Sequence, residues 1–118
     1  MIGEYKDLLE TVKKKLELIG FTLREDADFV AYFSGNSDWE VCFEGDKYVR
    51  PSFDISVEIY DSAFSIRLLM KLFKNYKKPS LDEQLNFLID NHSKIFVFPP
   101  PYSEGYEVLN TSTNSQDN

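Results

Sequence analysis

Residues 53–60 constrain this chain more than any other segment. Phe53, Ile55, Val57 and Ile59 alternate with Asp54, Ser56, Glu58 and Tyr60, the period of two that sends successive side chains to opposite faces of a strand. A second run repeats the pattern: Trp39, Val41 and Phe43 alternate with Glu40, Cys42 and Glu44. Gly45-Asp46-Lys47 between them is a turn signal, and Arg50-Pro51 makes a strand continuous through residue 51 untenable. Two antiparallel strands follow. One face carries the apolar set, and the other holds Glu40, Glu44, Asp54 and Glu58.

The flanks complete an α+β pattern. Tyr5, Leu8, Leu9, Val12, Leu16 and Ile19 recur at helical spacing and predict a helix over 3–19, ended by Gly20. The apolar run from Asp28 to Ser34 is a third strand, and Phe21-Thr22-Leu23 is a candidate edge strand. Asp61 or Ser62 can cap a second helix reaching about Tyr76. Its apolar residues, from Phe64 to Phe73, wrap so widely that most of its surface should be buried. Pro79 ends it, and Ser80-Leu81-Asp82-Glu83 has the form of a capping box opening a third helix. Ile95 to Phe98 reads as extended, leading into Pro99-Pro100-Pro101-Tyr102 in a polyproline conformation. The expectation is a single domain over 1–109: an N-terminal helix, an antiparallel meander of three to four strands, and two C-terminal helices packed on one sheet face. Residues 110–118 have little to bury and read as a disordered tail.

The net charge of −7 is not spread evenly. Residues 24–61 hold ten acidic and three basic residues, and the rest of the chain is balanced. Nucleic acid and anionic membranes demand positive charge, so they are poor partners for this region, whereas a basic protein suits it. The lone Cys42, the charged N-terminus and the lack of a long apolar stretch point to a cytoplasmic protein.

Catalytic signals are missing. One histidine and one cysteine make a zinc site improbable on donor count. Cys42 lies mid-strand rather than at an activating helix start, and His92 reads as a surface residue near the end of the third helix. No loop has calcium-ligand spacing, and the glycines form no phosphate loop. Neither a metal nor a cofactor is expected. Paired carboxylates could serve a glycosidase across a cleft, but a flat sheet face offers none. Arg67, Lys71, Lys74 and Lys78 form a basic stripe that reads as a solvated helix face.

What remains is the acidic face. Like charges on neighbouring strands are mildly unfavourable, so Glu40, Glu44, Asp54 and Glu58 grouped together point to a positive partner. Their ordinary reading is the wet side of a one-sided sheet. Asp46 and Tyr48, in and beside the following turn, extend the candidate surface, and tyrosine commonly anchors interfaces.

The segment Tyr48-Val49-Arg50-Pro51-Ser52-Phe53-Asp54, followed by Ser65-Ile66-Arg67-Leu68-Leu69, within this order of elements, resembles small immunity proteins of bacterial toxin systems. That resemblance implies a cytosolic, non-enzymatic inhibitor that occludes the active site of one basic toxin, frequently a nuclease. The alternative expectation is a small-ligand or regulatory module in which Arg50 and Arg67 hold an anionic group together.

Overall fold

The alternating runs form the centre of a five-stranded antiparallel sheet. In the computed structural model, which describes the backbone of residues 1–116 and side chains through residue 111, helix α1 (Gly3–Glu17) precedes five strands. These are β1 (Thr22–Asp26), β2 (Val30–Ser34), β3 (Glu40–Gly45), β4 (Phe53–Ile59) and β5 (Ser62–Ser65). Helices α2 (Ile66–Lys74), α3 (Leu81–Asp90), the single turn α4 (His92–Ile95) and α5 (Ser103–Gln116) follow. Strand order equals sequence order, so the sheet is a plain meander.

Register makes one face apolar. Val41 pairs with Val57 and Phe43 with Ile55, and all four are fully buried together with Ala31 and Phe33. The apolar stripe of α1, namely Tyr5, Leu9, Val12 and Leu16, joins the same core, as do Ile66 and Leu69 of α2 and Leu85 and Leu88 of α3. α1 packs on α3, and α2 packs on α3 and α5. All the helices therefore lie on the apolar side and leave the opposite face of the sheet open. Among the described residues, no helix is long and apolar enough to cross a membrane.

The expected α+β class and the leading helix are present, but the count of three to four strands becomes five. The extra strand is β5, where the second helix was expected to begin. Tyr60 takes a left-handed conformation, φ 50°, and turns the chain so that Ala63 pairs with Glu58 and Phe64 with Val57. Pairing brings Phe64 inward against Trp39, Tyr102 and Tyr106. That aromatic packing outweighs the local capping preference of Asp61 or Ser62, and the helix starts only after Ser65. It also ends early, at a left-handed Asn75, and two of its expected core residues, Leu72 and Phe73, stay 38% and 37% exposed.

The capping box of α3 forms as read: the Glu83 amide donates to Ser80 Oγ and the Ser80 amide to Glu83 Oε1. Ile95–Phe98 is not extended. Ile95 closes the α4 turn by donating its N–H to the Asn91 carbonyl, is fully buried, and accepts a hydrogen bond from the Tyr102 hydroxyl at its carbonyl. The proline run leads directly into α5. α5 carries the backbone into the segment read as a tail; Asp117 and Asn118 lie outside the described residues.

Candidate functional site

The open face of the sheet is built in three rows. Glu40 lies directly opposite Glu58, Cys42 opposite Ser56, and Glu44 opposite Asp54. β2 adds Ser34, Tyr32 and Val30 to the same rows. Two carboxylate pairs thus stand four residues apart along each strand, about 13 Å, with a weakly polar belt between them.

Each pair holds one arginine. Arg24 grips Glu40 with two nitrogens, Nε at 2.6 Å and Nη2 at 3.2 Å. It can do so because a register irregularity between Leu23 and Glu25 re-aims the strand locally, and its guanidinium also stacks over Tyr32. Arg67, from the first turn of α2, donates through Nε to Asp54 at 3.1 Å. Glu44 and Glu58 carry no ion pair among the described residues. The sequence grouping therefore holds in space. Half of its charge is offset at the borders, and one uncompensated carboxylate remains in each pair.

Cys42 faces this open side yet is only 6% exposed. Burial pushes its thiol up to about 12, reinforced by the charges of Glu58 and Glu44. The thiol is a packing group. His92 lies on the surface just past the end of α3, as read, and opens the α4 turn with Nδ1 2.8 Å from the Ile89 carbonyl.

Beside the Glu44–Asp54 pair, the loop between β3 and β4 is fixed from several directions. The Asp46 carboxylate accepts the amides of Tyr48 and Val49, both at 2.8 Å. Those bonds, Val49 first, hold its carboxyl below the usual range. From underneath, the buried Tyr5 hydroxyl donates to the carbonyls of Asp46 and Ser52. A Cβ on Gly45 would lie 2.6 Å from the Tyr5 ring, so only glycine permits this approach. Arg50 ties the loop to Glu4 at 2.8 Å and stacks over Phe29. What this scaffold presents to the outside is Tyr48, 88% exposed, and Val49, 65% exposed.

The sheet is not flat here. A cleft of about 560 Å³ lies at this end, with Glu44, Asp46, Tyr48, Asp54 and Arg67 among its walls. It unites four of the six expected partner-binding residues; Glu40 and Glu58 lie at the other end of the face. Arg50 is absent from the cleft. The geometry thus separates the two arginines of the anion-binding alternative: each is engaged by its own carboxylate, Glu4 and Asp54 respectively. Among the described residues, no three histidine, cysteine or carboxylate side chains converge in a way that could hold a metal ion.

Arg24 was missed as a member of the face. Its sequence position, one residue outside a short candidate strand, carried no sign of the bulge that redirects it. Comparison with family models, curated proteins and solved structures finds no match for this chain.

Proposed function

We propose that this chain is a non-enzymatic binding protein whose open sheet face and β3–β4 loop engage a basic protein. The more specific form of the reading is an immunity protein that neutralises a cognate toxin by covering its cationic active site. The same reading places the protein in the cytoplasm.

One observation carries it. A loop tied down through Asp46 and Tyr5 exposes Tyr48 and Val49, and Tyr48 shares the cleft with Glu44, which has no ion pair among the described residues. Pre-organised exposed apolar groups supply affinity without an ordering cost at binding. Neighbouring carboxylates speed the encounter with a cationic surface. A merely solvated face needs neither the stapled loop nor its apolar tip.

The test uses immobilised wild-type chain and a Glu44→Lys/Glu58→Lys variant, each exposed to lysate of the source cells. The reading expects a basic protein retained by the wild type, eluted by salt, and lost from the variant. Retention of the same proteins by both would overturn it.

A further inference from the structure

A second pocket, of opposite chemistry, lies where α2 and α5 meet the end of the sheet. It encloses about 330 Å³ and is lined by Arg67, Lys71 and Lys77 together with Ser65, Tyr76 and Tyr106. Among the described residues Asp54 is the one acid on its wall, so three cations face one carboxylate there. We propose that this pocket binds a small phosphate monoester, with the phosphoryl group among Arg67, Lys71, Lys77 and the Tyr106 hydroxyl, and the organic part against Leu68 and Tyr76.

Four features converge on that chemistry. First, the cations are available. Arg67 uses only Nε on Asp54, which leaves both terminal nitrogens for a ligand, and neither Lys71 nor Lys77 has an ion pair among the described residues. Second, Tyr106 is only 6% exposed and its oxygen accepts the Ser65 amide at 2.9 Å. Its own proton has no acceptor among the described residues. At the pocket wall that proton is free to be donated to a ligand. Third, α2 begins without a side-chain cap and without an acid in its first turn. Ser65 Oγ, the natural cap, turns instead to Asp54 at 3.1 Å. Uncapped amides at a helix start favour an anion, and Ser65, Arg67 and Leu68 of that turn line the pocket. Fourth, the surplus of two positive charges matches a phosphate monoester, which is largely a dianion at neutral pH, and arginine suits phosphoryl geometry.

The basic stripe read from sequence is thereby divided. Arg67 and Lys71 turn into the pocket, whereas Lys74 lies over the Phe87 ring. Lys77, Tyr76 and Tyr106 join from outside the helix, so sequence periodicity could not find them.

The experiment is an amide-NMR titration of the full chain with phenyl phosphate, inorganic phosphate and benzoate at constant ionic strength. Saturable shifts around Ser65–Lys71 and Tyr106 below about 10 mM phenyl phosphate, weaker for inorganic phosphate and weakest for benzoate, are expected. Lys71→Ala should weaken binding roughly tenfold. Tyr106→Phe, which keeps the ring against Phe64, should weaken it several-fold. Lys14→Ala on α1 should leave it unchanged. Shifts that never saturate, benzoate binding as tightly as phenyl phosphate, or an equal effect of Lys14→Ala would each overturn the proposal.

Discussion

The two faces of β3 and β4 are made by alternate residues of the same twelve-residue stretch of hydrogen-bonded pairs, yet they obey different rules. On the inner face Val41, Phe43, Ile55 and Val57 are sealed under helices, so each position is fixed by volume. On the outer face Glu40, Glu44, Asp54 and Glu58 meet across the strands; Glu40 and Asp54 are held by Arg24 and Arg67, whereas no packing volume dictates Glu44 or Glu58. Like charges opposite one another weaken a sheet slightly. The chain tolerates that cost on the outer face, and the proposed binding role would account for it. Packing governs one side of the sheet, and the proposed recognition would use the other.

That division predicts a graded set of responses. The largest is on the inner face: Phe43→Ala should cost about 3–5 kcal/mol in denaturant unfolding, and a loss under about 1 kcal/mol would deny that this face is the core. Cys42 sharpens the comparison, because it faces outward but is packed like a core residue. With its thiol raised from 9.0 to about 12, alkylation at pH 8 should be slower than for an unfolded control by roughly a hundredfold or more. The linkage follows the same direction. The folded state retains the proton, so stability from this group is present below the unfolded value and declines as pH rises from about 9 towards 12.

Gly45→Ala comes next, at the junction of the two faces. The added Cβ must displace the Tyr5 ring, so a loss of about 1–3 kcal/mol is expected, together with altered Tyr48 and Val49 amide signals. The smallest stability effect belongs to the outer face. Glu58→Lys should change unfolding by no more than about 0.5 kcal/mol, while slowing association with a basic partner. Acid should act on the loop in the opposite sense to Cys42. Asp46 has a lowered carboxyl, so its contribution is complete above the unfolded value of 3.8 and is lost as pH falls through the folded one. NMR of the Tyr48 and Val49 amides below pH 4 reads that loss.

The legible parts of the molecule were those set by local repetition. Alternation at 53–59 and 39–44 fixed which carboxylates share a face, and the spacing of Tyr5, Leu9, Val12 and Leu16 placed the first helix. Ser80 and Glu83 formed the reciprocal cap their order implies. The failures have a common cause in long-range packing. Phe64 joins the sheet because Trp39, Tyr102 and Tyr106 await it, and nothing near residue 62 encodes that. Arg24 reaches Glu40 through a bulge, and Tyr106 reaches Ser65 across 41 residues. The acidic surface could be read because it depends on a period of two. The basic pocket could not, because three separate segments meet to form it.

The central claim is that the outer face steers a basic partner. Its most direct test is the association rate of the captured partner with the wild type and with Glu44→Lys/Glu58→Lys, followed by stopped flow across ionic strength. The account predicts a wild-type rate that falls steeply as salt rises and a variant that is slower with a shallower slope. Equal rates and equal slopes for the two proteins would contradict it.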